Sequence, residues 1–243
     1  MSTSTGDTAV LLLAGGSGSR FGASRNKVYL PLAGRSVLSW SLSTFAGVAR
    51  VGALVLVARP EDTEFVTAML TTEVPGLDVE VVAGGSTRQA SEFAGLSHLA
   101  DRIASGEITT VLIHDGARPL VSPDLVTAVI EGAREYGGAV PGIRADGLAT
   151  AADDRLTGVV AEELVAVQTP QGFAAAAVLE AYQRADIDNY AGTDTASCVR
   201  HYTDVAVRWI PGEESNLKIT YSHDLAVAEA LLRPRRSEVP PGE

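Results

Sequence analysis

An unbroken apolar run, Val10-Leu11-Leu12-Leu13, stops abruptly at Ala14-Gly15-Gly16-Ser17-Gly18-Ser19-Arg20-Phe21-Gly22, with Lys27 shortly after. A short apolar run bounded by glycines reads as a buried strand delivering a turn. Glycine tolerates positive φ and lets the backbone come close to a ligand. Successive exposed N–H groups then form an anion cradle. Arg20 and Lys27 add positive charge at the same mouth, which suits the phosphates of a nucleoside triphosphate. The competing reading is a plain glycine turn joining a strand to a helix. Two commoner phosphate motifs do not fit. The dinucleotide fingerprint needs a third glycine where Phe21 stands, and the P-loop ending Gly-Lys-Ser/Thr is missing.

The rest of the chain alternates. Helices are expected at Gly34 to Phe45 (N-capped by Ser36), Glu61 to Leu70, Gln89 to Leu99 and Pro123 to Tyr136. Strands are expected at Val51 to Ala58, Asp78 to Ala83, Thr109 to Ile113 and from Gly138. Such alternation implies βαβ units and a mostly parallel sheet flanked by helices. Between Arg144 and Val167 the pattern changes to turn residues between short alternating segments, which predicts a β-hairpin arm at about 142–166. Gln168-Thr169-Pro170-Gln171-Gly172-Phe173 then leads into a helix, and Thr193-Asp194 caps another. Val205 to Ile210 is strand-like, and Ser222 to Leu232 is a last helix. One domain over 8–232 is expected, with 233–243, rich in Pro and charge, as a disordered tail.

The 243 residues carry a net charge of -11, which disfavours a nucleic-acid binder. Anionic ligands must therefore be held by local cations against an adverse overall field. Cys198 is the one cysteine, so no intrachain disulfide forms, in keeping with a reducing cytoplasm. It reads as a small core residue rather than a nucleophile. No cationic leader and no run of membrane-spanning length is visible, so neither a signal peptide nor a membrane partner is expected.

Ligands of open parallel sheets bind outside the carboxyl ends of the strands. Gly15–Lys27, Gly84–Arg88 and Asp115–Arg118 all follow strands, so they should share one edge. That gathers Arg20, Lys27, Arg88, Asp115 and Arg118 around one cleft. A carboxylate at that place suits Mg²⁺ bridged to phosphate oxygens; alternatively Asp115 pairs with Arg118 or caps the next turn. His114 reads as a packed strand-end residue, since no second histidine lies at a metal spacing. Attack of an anion on an α-phosphate with loss of pyrophosphate needs alignment and charge cancellation more than covalent chemistry.

The ordered set Ala14-Gly15-Gly16-Ser17-Gly18-Ser19-Arg20…Lys27, Gly84-Gly85-Ser86-Thr87-Arg88-Gln89-Ala90-Ser91, His114-Asp115-Gly116-Ala117-Arg118-Pro119, Gln168 to Phe173, Thr193-Asp194 and Asn216-Leu217-Lys218-Ile219-Thr220 resembles the 2-C-methyl-D-erythritol 4-phosphate cytidylyltransferase family. The resemblance covers about Val10 to Leu232. It implies a Rossmann-like sheet of the nucleotide-diphospho-sugar transferase type, with a β-arm that hooks over a twin in a homodimer. It implies CTP and a polyol phosphate as substrates and Mg²⁺ as cofactor. By motif, Lys27 and Lys218 would flank the reacting phosphates, and Arg20 would stabilise the leaving group. Asp115 would hold Mg²⁺. Ala14, Gly15, Gly16 and Gly18, with Gly85, Ser86, Arg88 and Ser91, would hold the nucleotide. Asp115, Arg118, Thr169 and Thr193 would face the acceptor.

Three departures stand out. Asn26 replaces the proline that usually precedes the loop lysine. On the arm, Asp146 is followed by Gly147 where the family has Thr, and Ala161 stands where the family has Arg. The nucleotide half is thus intact and the acceptor half altered. The same chemistry on another polyol phosphate, such as ribitol 5-phosphate, is the second reading; a non-catalytic CTP-binding paralogue is the third. A dehydrogenase is disfavoured by the failed fingerprint.

Overall fold

The computed structural model describes residues 6–16 and 26–233. In chain order the strands and helices are β1 (Thr8–Leu13), β2 (Pro31–Leu32), β3 (Arg35–Ser36), α1 (Val37–Ala46), β4 (Val51–Ala58), α2 (Thr63–Glu73), β5 (Glu80–Ala83), α3 (Arg88–His98), α4 (Ala100–Ala104) and β6 (Thr110–Asp115). They continue as α5 (Pro123–Tyr136), β7 (Gly137–Arg144), β8 (Ala149–Ala152), β9 (Arg155–Val159), β10 (Val165–Val167), β11 (Gln171–Ala174), α6 (Ala175–Asp188), α7 (Thr195–Tyr202), β12 (Ala206–Pro211) and α8 (Ser222–Leu232).

The apolar runs form strands because both faces of the sheet are covered. Along β1, Ala9 and Leu11 join one core with Leu96 of α3 and Val178 and Tyr182 of α6. Val10 and Leu12 point the other way, into a core with Leu42 of α1, Val66 of α2 and Val126 of α5. β4 splits identically: Val55 and Val57 on one side, Leu54 and Leu56 on the other. Strand order is β10-β7-β11-β6-β1-β4-β5, with β12 paired to β7. β1 runs parallel to β4 and β6, and β4 parallel to β5, so four strands end at one edge. The register sets Leu13 beside Val57 and Asp115.

The local sequence explains the element ends. Ser122 caps α5 by accepting from Leu125 N, Pro123 takes its first position, and Gly137 closes it at φ 86°. The helix expected from Gly34 starts only at Val37, because Gly34 (φ 93°) turns the β2–β3 hairpin first. The segment at Glu61 opens as a 3₁₀ turn, and the α-helix runs from Thr63 to Glu73. β11, expected only as a lead-in to a helix, is a full strand antiparallel to both β6 and β7. Where β7 ends, Arg144 pairs with Val165 of β10, and between them the chain leaves the sheet as the β8–β9 hairpin. Cys198 is buried in α7, as expected of a core residue. The tail from 234 lies outside the described residues.

Glu73, at the end of α2, clamps the start of α1. Its Oε2 accepts from Ser36 N and Oγ at 2.7 Å each and from Ser39 Oγ at 2.5 Å. Burial alone would raise its pKa, but the Ser39 and Ser36 donors outweigh that and lower it. We predict that Glu73→Ala costs about 2 kcal/mol in urea unfolding at pH 6. A depressed folded-state pKa gives stability that is present above the unfolded value and lost as pH falls through the folded one. The gap between wild type and variant should therefore narrow below about pH 4.

Candidate active site

Two glycine turns and one acidic turn meet at the shared edge. Ala14 leaves β1 with its N–H on Val57 O at 2.8 Å, and its own carbonyl accepts from the buried Asn26 side chain. Asn26 Oδ1 also accepts from Val28 N, capping the 3₁₀ turn that begins at Lys27. The residue that breaks the family pattern thus ties the two ends of the glycine-rich loop together. Gly18 and Arg20 lie outside the described residues.

The second turn leaves β5 with Gly84 N on Ala58 O at 2.8 Å, and Thr87 caps α3. The glycines of the first loop read as tolerating positive φ; neither Gly15 nor Gly16 adopts it, and Gly84 and Gly85 of the second turn do not either. Gly84 and Gly85 are instead demanded by close packing. A Cβ would sit 2.9 Å from Ser91 Oγ at Gly84, and 2.5 Å from the Ala90 Cβ at Gly85. Ser91 is buried against both loops, with its hydroxyl donating to Thr87 O at 2.9 Å. Ser86 is exposed at the turn.

Asp115 ends β6 at the centre. Lys218 Nζ lies 2.8 Å from one carboxylate oxygen, Arg88 Nη2 lies 3.3 Å from the other, and Arg118 Nε is 3.9 Å away. Burial would raise the Asp115 pKa, but Arg88, Lys218 and Arg118 together hold it far below the ordinary carboxylate range. The carboxylate is therefore ionised at neutral pH. Lys218 reaches it because Ile219 N bonds Ala117 O at 2.8 Å, laying the last loop on the turn after β6. Lys27 lies within electrostatic reach of Asp224, whose carboxylate caps α8 by accepting from Thr220 N and Tyr221 N.

Behind Asp115 stands a buried frame. Thr169 Oγ1 accepts from Asp115 N at 3.0 Å and contacts His114 Nδ1 at 3.2 Å, while His114 Nε2 contacts Arg118 O at 3.1 Å. Burial pushes the His114 pKa down to about 4, so the ring is neutral, and these partners assign its proton to Nε2. His114 is thus a packed strand-end residue, as read from the sequence. Thr169 and Arg118 were expected to face the acceptor. Thr169 is instead 3% exposed, and Arg118 donates to Asn216 O at 2.7 Å and Val167 O at 3.5 Å. Sequence reasoning missed this bracing. Asn216, fully buried, donates to Thr169 O and Gln168 Oε1, and Gln168 grips the Glu213 backbone.

Thr193 lines a cavity of about 710 Å³ with Asp194, Ser197, Val165, Tyr190 and Trp209. Val167 lines the same cavity and accepts from Arg118, so the cavity adjoins the Asp115 cluster. Among the described residues no three or more His, Cys, Asp or Glu side chains gather as a metal cage. A lone carboxylate at this edge still fits Mg²⁺, which takes one or two carboxylates and completes its shell with water and substrate phosphates.

Cations gathered around one ionised carboxylate, at the carboxyl edge of a mostly parallel sheet, define an α/β protein that handles nucleotide phosphates. The family model for 2-C-methyl-D-erythritol 4-phosphate cytidylyltransferase (IspD) matches residues 8–234, and the chain belongs to that family. The chain is 37% identical over 238 residues to the enzyme of that name from Solibacter usitatus, covering 93% of this chain and 95% of the relative. It is 39% identical over 233 residues to a bifunctional enzyme IspD/IspF from Dinoroseobacter shibae, covering 95% of this chain and spanning about half (55%) of that longer relative. Among solved structures, the 4-diphosphocytidyl-2C-methyl-D-erythritol synthase from Anaerococcus prevotii superposes with a TM-score of 0.79 at 26% identity, covering 95% of this chain and 100% of that one. The 2-C-methyl-D-erythritol 4-phosphate cytidylyltransferase of Thermus thermophilus gives 0.69 at 30% identity, covering 92% and 98%.

The frame behind Asp115 can be tested. Thr169→Val keeps the shape and leaves the Asp115 N–H unpaired in the interior. We predict a loss of roughly 1–3 kcal/mol in urea unfolding, and recovery of most of it in Thr169→Ser, which restores the hydroxyl.

Proposed function

We propose that the chain transfers CMP from CTP to 2-C-methyl-D-erythritol 4-phosphate and releases pyrophosphate. The observation that carries this reading is the ionised Asp115 held between Arg88 and Lys218 at the edge where the two glycine turns meet. Family membership supports the choice of nucleotide and acceptor. An acceptor phosphate oxygen attacks the α-phosphorus, the bond from that phosphorus to the bridging oxygen breaks, and pyrophosphate departs with the electron pair. The attacking phosphate is already anionic, so no general base is needed. Lys27 and Lys218 draw the two anions together and neutralise charge that grows in the transition state. Arg20 is assigned to the leaving group by resemblance. Ala14, Gly15 and Gly16, with Gly85, Ser86 and Ser91, form the nucleotide side. Arg118 and Thr169 brace the turn that carries Asp115, and Thr193 faces the acceptor cavity. Mg²⁺, when held by Asp115 and the triphosphate, supplies further neutralisation of phosphate charge.

A homodimer built through the arm belongs to this reading. Leu156 and Val159 on the hairpin are 80% and 82% exposed, and a second copy would cover them. Among the described residues no helix is long and apolar enough to cross a membrane. Action in the cytoplasm, without a nucleic-acid partner, completes the reading.

One observation favours a different acceptor. Gly147 sits at φ 70°, where the threonine of the family would be strained, and it lines an arm cavity of about 320 Å³ with Ala161 and Arg144. Arg144 is engaged by Glu163 at 2.8 Å. The second reading is therefore the same transfer to a different polyol phosphate. Pyrophosphate release from CTP with each acceptor decides between them. We predict at least a tenfold higher kcat/KM with 2-C-methyl-D-erythritol 4-phosphate than with ribitol 5-phosphate; the reverse order would reject the first reading. Lys27→Ala and Lys218→Ala should each lower kcat about 10²–10³-fold, with a much smaller change in CTP affinity by calorimetry. Equal losses in both would indicate a binding protein instead.

A further inference from the structure

Glu92 is a carboxylate that the transfer chemistry does not use, yet it is 2% exposed on the inner face of α3. Its Oε1 accepts from Arg88 Nε at 2.9 Å and from Thr195 Oγ1 at 3.1 Å, and its Oε2 accepts from Tyr182 Oη. The donors come from three helices: α3 itself, α6 and the first turn of α7. Thr195 is fully buried and Tyr182 is 1% exposed, so the carboxylate is held in a core pocket. Burying a charge is unfavourable unless it is paired and fully hydrogen-bonded, and here three donors meet it. Arg88 completes the arrangement. One edge of its guanidinium is on Glu92, and its Nη2 lies 3.3 Å from Asp115. The side chain is 37% exposed, so without Glu92 its long stem would be free to swing into solvent. The neighbouring Gln89 strengthens the link. It donates to Tyr190 O at 2.6 Å and accepts from Gly192 N at 2.8 Å. The first turns of α3 therefore grip the whole 190–195 segment, which carries Thr193.

We propose that Glu92 is a positioning residue of the transfer reaction, holding the Arg88 guanidinium against Asp115 and locking the nucleotide turn to the start of α7. The inference rests on the proposed function, because its consequence is read in turnover. Glu92→Gln keeps the shape and one of the two acceptor oxygens but removes the charge that fixes Arg88. Arg88→Lys keeps the cation but offers one ammonium, which can serve Glu92 or Asp115 and not both.

Pyrophosphate release is measured for wild type, both single variants and the double variant, alongside amide hydrogen exchange over residues 190–195. Glu92→Gln is expected to lose at least tenfold in kcat with KM for CTP changed less than threefold, and Arg88→Lys, which also alters a side chain within reach of the triphosphate, at least tenfold in kcat/KM. The double variant should match Arg88→Lys within twofold, since both changes act through one guanidinium. Exchange over 190–195 should quicken in Glu92→Gln and stay near wild type in Arg88→Lys. A kcat within twofold of wild type in Glu92→Gln, a kcat/KM within twofold in Arg88→Lys, or losses that multiply in the double, overturns the inference. Should Glu92→Gln fail to fold, Tyr182→Phe and Thr195→Val decide, since each removes one donor to Glu92 and leaves Arg88 in place: a kcat loss of at least threefold at near-constant KM in either supports the inference, and wild-type turnover in both overturns it. A wild type that releases no pyrophosphate with any polyol phosphate defeats the proposed function, and this inference falls with it. A wild type that turns over while Glu92→Gln matches it defeats the inference alone.

Discussion

A carboxylate buried at the end of a central strand must find positive charge or become neutral, and Asp115 finds three cations. Each comes from a different stretch of chain: Arg88 from the start of α3, Arg118 from the turn after β6, and Lys218 from the last loop. The pairing therefore joins segments distant in sequence as well as charges. Removing Asp115 would leave the cations repelling one another; removing the cations would leave a bare charge in a poor solvent. The ends of four parallel strands supply the floor on which this cluster is built.

The same constraint explains how a chain with a net charge of -11 can hold a triphosphate. The acidic surplus lies mostly on exposed residues, while Arg88, Arg118 and Lys218 are concentrated at one edge with the single charge of Asp115 against their three. Around that edge, polar side chains are committed to bracing. Asn26 closes the glycine-rich loop, Thr169 and His114 hold the β6 end, and Asn216 and Gln168 bind the last loop to it. A site that binds by charge needs its charges fixed before the ligand arrives, because reorganisation at the moment of reaction would weaken their effect.

Much of this was legible before the structure. The apolar runs of β1 and β4 are doubly buried and so read as continuous, and Pro123 and Gly137 punctuate α5 at both ends. The strand-end rule brought the three turns together from order alone. What stayed hidden depends on contacts between distant residues. β11 has only four residues and borrows its strand character from β6 and β7 on either side. Thr169 and Arg118 look like ligand contacts because they sit in a motif, yet their hydrogen bonds point inward. Gly84 and Gly85 serve close packing against α3 rather than an unusual φ, a distinction no sequence pattern carries. The Arg88–Glu92 pair went unread because the expected helix began one residue late, at Gln89, which hid the spacing of four, and Tyr182 and Thr195, which make Glu92 a buried anchor, come from far along the chain.

The central claim is that the Asp115 cluster is where the nucleotide phosphates sit. A crystal structure with CTP and Mg²⁺ tests it most directly. The account predicts the triphosphate between Lys27 and Lys218, within hydrogen-bond reach of Arg88, and the cytosine against the Ala14–Gly16 and Gly85–Ser91 turns. A nucleotide bound instead in the cavity beside Thr193 and Trp209, with Asp115 still closed on its three cations, would contradict it.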